Sequence, residues 1–238
     1  AAMEGMVKTA PVGKEEGGRS QVAATMFGVT TPCVERAKEV LEAAGSDVVV
    51  FHATGNGGES MESLIREGAF AGVLDLTTTE LADELVGGIL SAGPNRLTAA
   101  AESGVPQVVS VGATDMVNFG ARDSLPSCFE GRLLHAHNAE VTLMRTTAEE
   151  CSALGEEIGR KIAAGSGPSE VHLPLLGVSA IDQKGQPFDD AGAREALFQA
   201  VRDHAGSVPV VEHDLHINDP AFAKAAAMAL LTLMKATQ

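Results

Sequence analysis

Short apolar runs alternate along this chain with longer polar segments of helical period. The runs at 22–28, 47–53, 72–76 and 105–111 are rich in Val, Leu and Ala and end in Gly, Thr or Pro, which reads as four strands. Val48, Val49, Val50 and Phe51 leave no polar face, the pattern of a parallel strand buried on both sides. Helices are expected between the strands. Thr31 is placed to cap the first, with Pro32 at its opening position and Gly45 at its stop. A second follows Gly58 to about residue 68. Thr77 and Glu80 have capping-box spacing at the head of a helix over 77–88, and 96–103 reads as a short helix after a turn at 91–94. The stretch 112–132 is the least regular and reads as a long functional loop.

Further along, 141–145 reads as a short strand. Thr147 and Glu150 repeat the capping-box spacing for a helix to about 164. A strand at 170–176 tolerates Pro174 at an exposed end. A loop at 177–190, a helix at 191–205 and a strand at 208–212 follow, and Asp219 with Pro220 opens an Ala-rich helix to about 235. Strands alternating with helices imply parallel βαβ units, so the expected fold is α/β, a mainly parallel sheet with helices on both faces, Rossmann-like and doubly wound. Residues 1–20 carry no apolar period and read as a flexible linker or tail, leaving 21–238 as one α/β domain.

Composition narrows the function classes. The chain has 238 residues, 45% hydrophobic, which is enough for a sizeable core. A formal net charge of −15 argues against nucleic acid as a partner and is consistent with solubility. There is no Trp and no Tyr, so any stacking on a ligand falls to Phe or His. Cys33, Cys128 and Cys151 show no CxxC spacing, which suits a reducing, cytoplasmic setting. No run is long and apolar enough to span a membrane, and no signal peptide pattern opens the chain.

In open α/β folds ligands sit at the carboxyl ends of strands, beside helix N-termini. The loops after the first three strands carry the residues for such a crevice: Thr30, then Thr54, Gly55, Gly57 and Gly58, then Thr77, Thr78 and Thr79, with Ser91 and Gly93 closing it. Gly lets the backbone approach a ligand and aim N–H groups at an anion. The pattern is neither GxGxxG nor a Walker motif, so a plain turn stays open beside the ligand loop, and capping stays open for the Thr. Asp75, Asp115, His137 and His216 are the acid–base or metal candidates. Arg132 and Arg145 are candidate anion clamps, and His52 is a general base or a satisfied buried histidine. His135, His213, Asp214 and Asp219 complete the groups a metal could use, but no tetrahedral set is visible and no zinc is expected.

Eight strings then point one way: MFGVTTPCV at 26–34, VFHATG at 50–55, LTTTELAD at 76–83, SAGP at 91–94, DMVNFG at 115–120, HN at 137–138, VTLMRT at 141–146 and HINDP at 216–220. Together they resemble the C-terminal half of the Tm-one-like ATP-binding family, named after a plant protein of resistance to tomato mosaic virus. The resemblance covers nearly everything from Val22 onward. It implies an upstream α/β domain in full-length members and ATP as a cofactor; from the residues, Asp75 and Asp115 are placed to hold Mg²⁺ beside a phosphate, and a homo-oligomer such as a dimer is expected. The resemblance supplies no catalytic residues, and Asn56 stands where a small or hydroxylated residue is expected. The expected function is therefore binding of a nucleotide or another small anionic, phosphorylated ligand. A hydrolase or lyase on a phosphorylated or carboxylated small molecule, and a protein-interaction module, are the alternatives.

Overall fold

The structure is a computed structural model and describes residues 19–237. The tail expected over 1–20 lies outside the described residues except for Arg19 and Ser20, and Ser20 already opens the first strand. Six strands, β1 Ser20–Met26, β2 Ser46–His52, β3 Gly72–Thr77, β4 Gln107–Gly112, β8 Ser169–Pro174 and β9 Val210–His213, form a parallel sheet in the order β2-β1-β3-β4-β8-β9. Helices cover both faces. On one lie α1 (Thr31–Ala43) and α7 (Pro220–Ala236), where Val34, Ala37 and Leu41 meet Phe222, Ala226 and Leu230 over Val22, Leu74 and Val108. The other carries α2 (Asn56–Arg66), α3 (Thr79–Val86), the short α4 (Ala99–Ser103), α5 (Ala148–Ala163) and α6 (Ala191–His204). This is the expected α/β architecture. No helix among the described residues is long and apolar enough to cross a membrane.

Three local expectations are corrected. The apolar run in β2 does not mark a strand buried on both sides, since most of its residues are half-buried or exposed. Among the described residues it pairs only with β1, at the sheet edge, and Val49 is 38% exposed. The irregular stretch after β4 contains β5 (Met116–Phe119), which joins β6 (Leu134–Ala136) and β7 (Thr142–Arg145) in a separate antiparallel sheet of order β5-β7-β6. The strand expected at 141–145 is β7, whereas β5 and β6 are only four and three residues long, too short to show a period in sequence. Finally, the two capping-box signals part company. Thr147 and Glu150 form the box at the head of α5. Thr77 and Glu80 do not: α3 starts at Thr79, and both side chains are claimed by neighbouring loops.

Because all six strands run in parallel, every carboxyl end falls on one edge. Hydrogen bonds stitch the loops together there. The Thr30 and Thr77 hydroxyls meet at 2.8 Å, Ala53 N donates to Met26 O at 2.8 Å and Thr78 N to Gly112 O at 3.0 Å. Ala113 N donates to Val178 O at 2.9 Å and Ala180 N to Val29 O at 3.0 Å, so the loop after β8 closes on those after β1 and β4.

Candidate functional site

The glycine loop leads from β2 into α2. It folds on itself through Thr54 N and Asn56 N, which donate to His52 O and Thr54 O at 2.8 and 3.2 Å. Packing requires its glycines. Gly55 has φ +84°, and a side-chain carbon there would press on Ser91 O. On Gly57 the same carbon would overlap the His52 carbonyl, and on Gly58 the Glu80 carboxylate. Gly55 N and Gly58 N both donate to Glu80 Oε1, at 2.7 and 3.1 Å. Two of the amides expected to receive an anion thus receive one from the protein itself.

Glu80 belongs to a buried ionic cluster around Arg96, a residue that sequence reasoning passed over. Arg96 is fully buried. Its Nε donates to Glu80 Oε2 at 2.7 Å, its Nη2 to Asp75 Oδ1 at 2.8 Å and its Nη1 to Glu62 Oε1 at 3.3 Å. Burial opposes the guanidinium's charge, but Asp75, Glu80 and Glu62 outweigh it and hold its pKa well above the usual value. Burial pushes Glu80 up from the carboxylate range against the pull of Arg96. Thr25 Oγ1 donates to Asp75 at 2.7 Å. Glu62 accepts the N–H groups of Leu97, Thr98 and Ala99, at 2.6, 3.2 and 2.7 Å, and so caps α4. One guanidinium therefore ties β3, α2, α3, the glycine loop and the turn before α4 into one unit.

The threonines lie within this frame. Thr30, Thr77, Thr78 and Thr79 are all fully buried. Thr77 N is taken by Thr25 Oγ1 at 3.0 Å, and Thr78 Oγ1 donates to Ser110 O at 3.0 Å. Thr79 Oγ1 has no partner among the described residues. Of the crevice set, Gly55 and Gly58 are also buried, whereas Thr54, Gly57, Ser91 and Gly93 are half-buried and frame the mouth. Ser91 Oγ donates to Glu84 and accepts from Gly93 N. Beside this mouth a cavity of about 260 Å³ runs between α2 and the turn, lined by Glu59, Glu62, Arg66, Ala92, Gly93, Pro94 and Asn95.

A second buried cluster sits where the loops after β4 and β8 meet. Asp115 Oδ2 accepts from Ser179 Oγ at 2.8 Å, and Oδ1 has no partner among the described residues. Burial pushes the Asp115 carboxyl up to about 7, the neighbouring Asp182 pushes the same way, and Arg145 opposes it. Asp182 is held by Arg194 at 2.8 Å, by Arg145 at 3.4 Å and by Val178 N at 3.1 Å. Arg145 also donates to Phe188 O at 2.9 Å, and Arg132 pairs with Glu150 at 2.6 Å, so both expected anion clamps are engaged by the protein. His216 Nε2 donates to Ser179 O at 2.8 Å and its Nδ1 accepts Asn218 N at 3.1 Å, which leaves no ring nitrogen for a proton shuttle. His137 is exposed on the β6–β7 turn. The four acid–base candidates therefore do not converge: Asp75 is locked on Arg96, Asp115 and His216 flank Ser179, and His137 stands apart. Among the described residues no three of His, Cys, Asp and Glu are placed to hold a metal.

Residues 19–234 match the Uncharacterised protein family (UPF0261) C-terminal domain. The chain belongs to this family. It is 50% identical over 237 residues to a UPF0261 protein of Clostridium tetani, covering 98% of this chain and 58% of that protein. Against a UPF0261 protein of Mesorhizobium japonicum the identity is 48% over 216 residues, covering 90% and 54%. It is 45% identical over 211 residues to the ToMV resistance protein Tm-1(GCR237) of Solanum lycopersicum, covering 87% of this chain and 28% of the tomato protein. The chain thus spans a little over half the length of these bacterial relatives, and the resemblance read from its motifs holds.

In this UPF0261 domain the groups missed by sequence reasoning are Arg96, Glu62, Asp83, Ser179, Asp182 and Arg194. Asp83 accepts Leu90 N and Asn118 N at 3.2 and 3.0 Å and Asn118 Nδ2 at 2.7 Å, and burial pushes it up to about 7. Arg96 had one legible signal: a lone cation directly after the Ser91–Pro94 turn, in a chain with only 17 Lys and Arg against 32 Asp and Glu. The others carry none: Glu62, Asp83 and Arg194 lie on helices, where a charged residue reads as part of a solvated face, and Ser179 and Asp182 lie in the irregular loop after β8.

Proposed function

We propose that this domain is one lobe of a protein that binds a nucleotide, ATP among the candidates, or another phosphorylated small molecule. The ligand lies at the carboxyl edge of the sheet, over the mouth framed by Thr54, Gly57, Ser91 and Gly93. The observation that carries this reading is the Arg96 cluster. A buried ion cluster stabilises a fold no better than apolar packing of the same volume, so its presence calls for a reason other than stability. Here it holds several loops of one edge at fixed positions, and preorganised loops at strand ends are how α/β folds receive ligands. The longer relatives motivate a second lobe that completes the site, with Mg²⁺ brought by the phosphates. The test is calorimetry of the chain with ATP, ADP and inorganic phosphate. Saturable binding of any of them supports the reading, and the absence of heat and of thermal stabilisation with all of them overturns it.

A hydrolase or lyase reading rests on one observation, the Asp115 carboxyl with its unpartnered oxygen and a pKa near neutrality. It requires Asp115→Asn to abolish turnover of the bound ligand while leaving its affinity in place.

A further inference from the structure

Two rings meet at the mouth of this crevice. The ladder of β1 and β2 pairs Met26 with His52, which brings Phe27, the next residue, beside the His52 ring. Their centroids are 5.6 Å apart with an interplanar angle of 27°, an offset stack. Phe27 is half-buried and packs against the cluster of Ala113, Met116, Leu143 and Phe188, so its ring is anchored. His52 is exposed at the strand end, with Asn56 exposed two tight turns further on. The proposed function makes no use of either ring.

We infer that Phe27 and His52 form a stacking platform for the planar heteroaromatic base of a nucleotide, whose phosphates point away from this domain. The inference rests on the nucleotide reading and orients the ligand within it. Every base has a π-face, and stacking on an aromatic side chain needs no further complementarity. The chain has no Trp and no Tyr, so an accessible, anchored Phe–His pair at the carboxyl edge is its means of stacking a base there. The phosphate end finds little in comparison. Gly55 N and Gly58 N are taken by Glu80, the adjacent cavity carries Glu59 and Glu62 with its one cation, Arg66, paired to Glu62 and Glu102, and the net charge is −15. A neutral base meets none of that repulsion.

The test compares adenosine, ATP and tripolyphosphate on the wild-type chain, His52→Ala and His52→Phe by calorimetry, together with proton NMR of the seven histidines. The platform predicts that adenosine and ATP each lose roughly 5- to 100-fold in affinity in His52→Ala, the range for loss of one base–aromatic stack, and keep it in His52→Phe. The ring-proton signal that disappears in His52→Ala should move upfield when adenosine binds the wild type. If ATP binds His52→Ala as it binds the wild type, or if tripolyphosphate binds as tightly as ATP, the platform is wrong and the nucleotide or phosphate reading survives. If none of the three probes binds the wild type, both fall.

Discussion

Two buried ionic clusters stand at the same edge of the same sheet, and they are built differently. Around Arg96 each carboxylate is met from several sides: Asp75 by a hydroxyl and the guanidinium, Glu80 by two backbone amides and the guanidinium, Glu62 by three amides and the guanidinium. Around Asp115 one oxygen is bonded to Ser179, the other has no partner among the described residues, and the two guanidinium groups nearby are committed to Asp182 and to backbone carbonyls. Both clusters are out of water, so the contrast lies in hydrogen-bond saturation. The saturated cluster keeps its geometry through these bonds, although burial raises Glu80 against the pull of Arg96. An unsaturated one keeps a proton within reach of neutrality. The first behaves as a scaffold and the second as a responsive group.

The strongest way to break this comparison is to remove the cation from the scaffold. Arg96→Met leaves three carboxylates facing one another in the dry, and the expected loss is about 3–5 kcal/mol of unfolding free energy in urea at pH 7. Arg96→Lys restores a charge but not the planar fork, so it recovers only part of that loss. A loss below about 1 kcal/mol for Arg96→Met would mean that the cluster is not what holds the edge.

Next in size is the pH response. Burial raises the carboxyls of Asp115 and Asp83 from the ordinary 3.8 to about 7. A carboxyl with a raised folded pKa contributes stability that is fully present below its unfolded value and is lost as pH rises through the folded one. Each is therefore expected to cost a few kcal/mol between pH 4 and pH 8, at about 1.4 kcal/mol for every pH unit that separates the unfolded from the folded pKa. Asp83→Asn and Asp115→Asn should flatten that dependence and be more stable than the wild type at pH 8, while losing the advantage at pH 5. Urea unfolding at both pH values decides it. A wild-type stability that rises steadily from pH 5 to pH 8 would contradict the assignment.

The smallest effect has the opposite sign and must be separated from the last. His172 Nε2 donates to Glu170 at 3.2 Å, and its Nδ1 lies 3.0 Å from His213 Nε2, with Phe222 packed edge-on against both rings. Burial lowers the pKa of His172 despite Glu170, and burial with the neighbouring His172 lowers that of His213. A histidine with a lowered folded pKa contributes stability above its unfolded value near 6.5, lost as pH falls. His213→Asn should remove part of the destabilisation seen below pH 6.5 and leave the pH 8 stability almost unchanged. NMR titration in which both rings protonate at or above 6.5 would refute this.

How much was legible depends on how local each feature is. The Asp219–Pro220 start of α7 and the Thr147–Glu150 box of α5 were readable because the cap and its amide lie within three residues of each other. Thr77 and Glu80 show the same spacing and form no box, since Thr30 offers one a hydroxyl and Gly55, Gly58 and Arg96 claim the other. The Val run of β2 looked buried on both sides because an apolar run does not report that a strand lies at the sheet edge, where its faces are only partly covered. The crevice residues were found in the loops that do converge, but their roles were not. Gly57 looked like a place for a ligand and is required by the His52 carbonyl.

By itself the sequence determined the α/β class, the alternation of strands and helices, the family and the edge at which the loops meet. Period, caps and turn residues act over a few positions, and parallel βαβ units allow one handedness. Only the tertiary structure decided the strand order, the edge position of β2, the separate β5-β7-β6 sheet and the partners of the buried charges. Asp75 and Arg96 lie 21 residues apart and Ser179 and Asp115 lie 64 apart, and each pair meets only once the sheet is assembled. Which carboxylate is saturated and which keeps a free oxygen follows from that assembly, because a charge out of water takes whatever donors the packing leaves beside it.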